Sequence, residues 1–92
     1  MNIVAEMSLY PLKSEPIPTI IDFIKTLQKQ QGIETVTNQL STQVSGSFEA
    51  VTTAVNACMK KVMAQPDTVV LVVKYLNIEK ELGRTPTLTP DS

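Results

Sequence analysis

Hydrophobic residues in this chain change their period as the sequence is read, and the order of those changes limits the fold more than any other feature. Residues 2–10 alternate. Ile3, Ala5, Met7 and Leu9 share one parity, and Asn2, Glu6, Ser8 and Tyr10 make up most of the other. A period of two belongs to a strand with one buried face. Pro11 has no N–H to give a ladder and ends the run. Residues 16–31 shift to spacings of three and four, with Ile17, Ile20, Ile21, Ile24 and Leu27 as the apolar stripe of a helix. Ser14 is the expected N-cap, Pro16 and Pro18 suit a first turn, and Gly32 suits a left-handed C-terminal cap. Residues 33–37 and 40–46 are rich in Thr, Val, Ile and Ser and read as two short strands joined by a tight turn at Asn38–Gln39. Ser47 is placed to cap a helix over 48–64, with Phe48, Val51, Val55, Met59 and Val62 as its stripe. Pro66–Asp67 stops that helix, and residues 68–76, TVVLVVKYL, form the last strand.

The resulting order, β-α-β-β-α-β, predicts an α+β, ferredoxin-like βαββαβ two-layer sandwich. Its four-stranded sheet is antiparallel, and both helices lie on one face. At 92 residues the chain is one domain, expected over 1–82, followed by a Pro/Thr-rich tail or arm over 83–92. The last strand is apolar at both parities: Val69, Leu71 and Val73 on one side, Val70, Val72 and Leu76 on the other. Two layers bury only one sheet face, so the other face is expected to serve as an interface, most simply in a homo-oligomer that stacks sheet on sheet.

Composition excludes several kinds of chemistry. The chain has no His, which removes His-based acid–base catalysis, Ser-His and Cys-His triads and nearly all zinc and haem sites. A single cysteine, Cys58, excludes an intrachain disulfide and any multi-cysteine metal site, and it reads as a small buried residue. Eight basic residues against nine acidic leave no positive excess for phosphate neutralisation, so no nucleic-acid partner is expected. No apolar run reaches the roughly 18–20 residues of a membrane helix, so no membrane insertion is expected. The first residues lack a basic stretch, and a cytoplasmic location is expected. No phosphate-binding glycine motif is present, and Glu6, Glu34 and Glu49 are scattered over three elements, so the chain reads as a non-enzyme with no metal and no cofactor.

The residues that remain are suited to binding. Glu6 lies on the sheet face that the helices leave bare, and a carboxylate there needs a partner. Lys74, on the neighbouring last strand, has the matching parity; the pair is either a cross-sheet ion pair or a ligand contact. Residues 38–45 are the densest polar cluster, with Asn38, Ser41, Thr42 and Gln43 as donors and acceptors for a small polar heterocycle. Ser8 and Tyr10 project beside it, and Tyr10 or Phe48 can pack against a ring. Thr and Ser are also ordinary residues of a half-exposed strand.

The segments AEMSLYPL and LSTQVSGSFEAV together resemble the thiamine-binding, YkoF-like family. Ser8 and Tyr10 match the first-strand motif of that family. Ser41, Thr42 and Gln43 match the strand that enters the second helix, and Asn38 stands where a polar residue is common. KYLNIEKELGRTPTL is similar to the family's last strand, with Lys74 followed by Arg84. The resemblance implies a ferredoxin-like domain that binds thiamine or its hydroxymethylpyrimidine moiety without transforming it, for vitamin salvage or transport. It also implies a single-repeat member that assembles as a homodimer or homotetramer. The expected ligand contacts are Glu6, Ser8, Tyr10, Asn38, Ser41, Thr42, Gln43 and Phe48. The competing expectation is an oligomeric regulatory or interaction module with no vitamin ligand.

Overall fold

The computed structural model of the chain describes residues 1–38 and 41–77. Their elements are β1 (Asn2–Pro11), α1 (Ile17–Gln28), β2 (Ile33–Thr37), β3 (Thr42–Ser47), α2 (Phe48–Met63) and β4 (Val69–Leu76). The strands form one sheet in the order β2-β3-β1-β4, and all three pairings are antiparallel. This is the ferredoxin-like α+β fold. The tail expected over 83–92, with Arg84, lies outside the described residues.

Alternation along β1 becomes two faces. Ile3, Ala5 and Met7 are buried against Phe23 and Leu27 of α1 and Val51, Val55, Cys58 and Val62 of α2. Leu9, Val69, Leu71 and Val73 pack against the same core. Full burial of a side chain such as Leu27 or Val51 contributes about 1.5–3 kcal/mol, so this single face accounts for much of the stability. Among the described residues, no helix lies on the other face.

Both helical stripes are rotated from the ones read in the sequence. In α1 the buried positions are Phe23 and Leu27, while Ile17 and Ile21 are exposed. The set Ile20, Phe23, Ile24, Leu27 satisfies the three-and-four spacing as well as the Ile17-based set does. The sheet takes the former because it seats the bulkiest side chain in the core. In α2 the buried positions are Val51, Ala54, Val55, Cys58 and Val62, and Phe48 is exposed. Ala54 and Cys58 are small enough to let the helix approach the sheet closely.

The caps differ between the helices. Ser47 caps α2 as expected, its Oγ accepting from the Ala50 amide at 3.1 Å. Glu49 in the first turn and Lys60 and Lys61 in the last suit the helix dipole. α1 begins after Pro16 with no side-chain cap, so Ser14 does not play the expected role. Pro16 and Pro18 bring no N–H, which removes two of the donors a cap would satisfy. Gly32 does take a left-handed φ of +79°, but at the turn into β2 and not at the helix end, where Lys29 is the C-cap. Gly46 is set by close approach: a Cβ there would stand 2.6 Å from the Gly32 carbonyl oxygen.

The β2–β3 hairpin closes between Asn38 and Ser41, and the expected turn residue Gln39 lies outside the described residues. Asn38 donates its amide to the Ser41 carbonyl at 3.0 Å, and the Ser41 amide donates to Asn38 Oδ1 at 2.9 Å. The Asn38 side chain thereby takes the Ser41 donor at the hairpin end, and β3 is described from Thr42; the expected start at residue 40 lies outside the described residues.

Candidate functional site

The register of the sheet decides which polar residues meet. Glu6 of β1 lies opposite Gln43 of β3 on one side and Lys74 of β4 on the other, a row across three strands. Ser8 pairs with Val72 and Tyr10 with Val70. Directly paired residues share a face, so Glu6, Ser8, Tyr10 and Gln43 all stand on the helix-free side with Lys74, Val70 and Val72. Ser41 lies one step past the last β1–β3 pair, Met7 with Thr42, which puts it beside Ser8 at the hairpin end of this face, with Asn38 bonded to it.

Chemically the face is an apolar floor with a polar row. Tyr10, Val70, Val72 and Leu76 are exposed, the two valines at 44% and 42%. Lys74 Nζ stands 4.0 Å from Glu6 Oε1, and the side chains are 71% and 35% exposed. An ion pair this long and this wet contributes about 0–1 kcal/mol. It positions Glu6 while leaving its carboxylate open to another cation or N–H donor.

Two of the expected contacts are elsewhere. Thr42 shares the parity of Val44, faces the helices and is only 5% exposed. Its hydroxyl is hydrogen-bonded to the Thr37 hydroxyl at 3.1 Å. The placement of Thr42 beside a ligand on the helix-free face is therefore corrected. It is a core residue whose buried oxygen is satisfied by a neighbour. The Val44 parity was a signal for this in the sequence. Phe48 opens α2, its amide donating to the Met1 carbonyl at 2.9 Å. It lines an open cleft of about 490 Å³ with Ile3, Asn56 and Tyr75 and is separate from Tyr10. Tyr75, absent from the expected set, shares the parity of Val73 and so belongs to the helix side. Burial pushes its phenol up from the ordinary value.

Cys58 is free and buried, and burial pushes its thiol up, partly offset by the Lys61 charge. That is the opposite of the lowered pKa a nucleophilic thiol requires. Among the described residues no cluster of three acidic or cysteine side chains could hold a metal, and no helix is long and apolar enough to cross a membrane.

Comparison with known proteins agrees with this architecture. The profile of the YKOF-related family matches residues 2–78. Protein SP2199 of Streptococcus pneumoniae superposes with a TM-score of 0.77 at 22% identity, over 90% of this chain and 92% of that one. A hypothetical protein of Methanocaldococcus jannaschii superposes with a TM-score of 0.71 at 21% identity, over 95% and 88%. A Thermotoga maritima protein provisionally assigned to thiamine biosynthesis or salvage superposes with a TM-score of 0.65 at 16% identity, over 83% and 85%. No curated protein matches the sequence at a significant level.

Proposed function

This chain belongs to the YKOF-related family, and from that premise we propose that it binds thiamine or its hydroxymethylpyrimidine moiety reversibly and without transforming it. The observation that carries the reading is the row Gln43–Glu6–Lys74 on the helix-free face, with Ser8 and Tyr10 on the same strand as Glu6. The thiamine assignment of the Thermotoga protein, which shares the fold, supports the choice of ligand class.

The aminopyrimidine ring packs on Tyr10 and the exposed valines of β4. Its amino group, or the positive thiazolium of intact thiamine, faces the Glu6 carboxylate. Ser8 and Gln43 hydrogen-bond the ring nitrogens, and Ser41 and Asn38 stand at the rim by the hairpin. Lys74 is displaced at little cost because its bond to Glu6 is long and solvated. Thr42 and Phe48 take no part.

The same face self-associates. Val70, Val72, Leu76 and Tyr10 leave it apolar and exposed on a chain of 10.1 kDa. A second copy stacked on it removes water, which strengthens the attraction between Glu6 and a cationic ligand. Homodimers or homotetramers are the expected assemblies.

Titration calorimetry with thiamine and with hydroxymethylpyrimidine, run beside light scattering, tests the reading. Saturable binding that Glu6→Gln and Tyr10→Ala each weaken about 5- to 150-fold supports it. A folded oligomer that gives no heat with either compound overturns it, and leaves the helix-free face as an interface alone.

A further inference from the structure

At the end of the sheet away from the Asn38–Ser41 hairpin, an open cleft of about 490 Å³ lies between the start of β1, the start of α2 and the end of β4. Its walls are largely hydrocarbon. Met1, Phe48, Tyr75 and Leu76 line it and are exposed, Phe48 at 48% and Tyr75 at 49%. The Phe48 amide donates to the Met1 carbonyl at 2.9 Å, which holds the first residue against the helix start. Thr52 brings a hydroxyl to the lining, but that hydroxyl already donates to the Phe48 carbonyl at 2.7 Å. An open trough with two half-exposed rings and few polar groups suits aliphatic side chains better than a small polar ligand.

The chain itself supplies them. Asn77 is both a lining residue and the last described residue, and the sequence continues Ile78, Glu79, Lys80, Glu81, Leu82. Ile78 and Leu82 are four apart, so one helical turn puts them on the same face, with Glu79 and Glu81 on its flanks and Lys80 opposite. A turn advances only about 5.4 Å, so Leu82 stays close to the point where the chain leaves β4. We propose that residues 78–82 of the same chain seat in this cleft as one turn, that Ile78 and Leu82 cover Phe48 and Tyr75, and that the folded domain ends with them. No linker separates the segment from its site. Its effective concentration there is on the order of millimolar or higher, so a second copy at micromolar concentration does not compete. The inference does not depend on the thiamine reading, whose contacts Ser8, Tyr10 and Ser41 lie towards the other end of β1.

Isotope-filtered NOESY on the full chain tests this. The chain has two Phe and two Tyr, so the ring signals of Phe48 and Tyr75 are readily told apart. Cross-peaks are expected from the Ile78 and Leu82 methyls to both rings, and a mixture of labelled and unlabelled chains should show them within one molecule. Trypsin cleavage after Lys80 gives a second reading, because the protease acts on the population in which the turn has left the cleft. Phe48→Asp and Ile78→Ser should each raise the cleavage rate about 10-fold while keeping the cooperative thermal transition of the parent. Ile78→Ser leaves the core on β1, α1 and α2 untouched, so it decides the matter if Phe48→Asp does not fold. Absence of the cross-peaks, or a cleavage rate that Ile78→Ser does not change, would overturn the proposal. Cross-peaks found only between molecules would overturn it too, and would make the segment an arm exchanged between copies.

Discussion

Glu6 and Lys74 face each other from adjacent strands with 4.0 Å between Oε1 and Nζ. The distance and the exposure of both groups make this pair a weak one. Lys74→Met should therefore change folding stability by less than about 1 kcal/mol in urea denaturation. If a thiazolium cation seeks Glu6, the same variant should bind thiamine up to about 5-fold more tightly, because a competing and repelling charge is gone. Weaker thiamine binding in calorimetry would place Lys74 among the ligand contacts and not among its competitors.

Thr42 and Thr37 share a hydrogen bond on the helix side. Thr42→Val removes the buried hydroxyl but leaves Thr37, which is exposed, able to turn to water. A loss of about 0.5–1.5 kcal/mol is expected in thermal or urea denaturation, with ligand affinity unchanged. Altered affinity at intact stability would contradict the placement of this residue.

Gly46 has no space for a side chain, since a Cβ would meet the Gly32 carbonyl oxygen at 2.6 Å. The obstacle is backbone and cannot swing aside. Gly46→Ala should cost about 1–3 kcal/mol, read as a lowered urea midpoint with unchanged m-value.

The two helix starts offer an internal comparison. Ser47→Ala should lose about 1 kcal/mol, because Ser47 Oγ accepts from the Ala50 amide. Ser14→Ala should be silent, because α1 has no side-chain cap. Equal losses in parallel melts would show that Ser14 does cap in solution.

Cys58 makes stability depend on alkaline pH. Burial holds its thiol above the ordinary range. Below the ordinary thiol pKa, folded and unfolded chains both keep the proton, and stability does not change on its account. As the pH rises past that value the unfolded chain loses its proton first, so stability falls until the folded thiol also ionises. Tyr75 acts in the same direction at higher pH. Urea titrations across the alkaline range should show a shallower decline for Cys58→Ala than for the parent chain.

The sequence by itself determined the identity and order of the elements, because hydrophobic period is a local property. Alternation in residues 2–10 and three-and-four spacing in 48–64 stand wherever the segment is placed. Ser47 as a cap was equally legible, since capping involves only neighbours in the chain. Glu6 and Lys74 were legible as a pair because parity and strand adjacency both follow from the topology. Tertiary structure alone decided the rest. Two stripes in α1 satisfy the same spacing, and only the shape of the sheet selects Phe23 over Ile21. The side chain of Asn38 takes the Ser41 amide at the hairpin end, a contact that spacing alone does not reveal. The β1–β3 register joined Gln43 to Glu6 in a row, and that register depends on which residues of two distant segments meet. Thr42 and Phe48 left the candidate site for a related reason: residue type shows what a side chain can bind, but only packing shows which face it occupies.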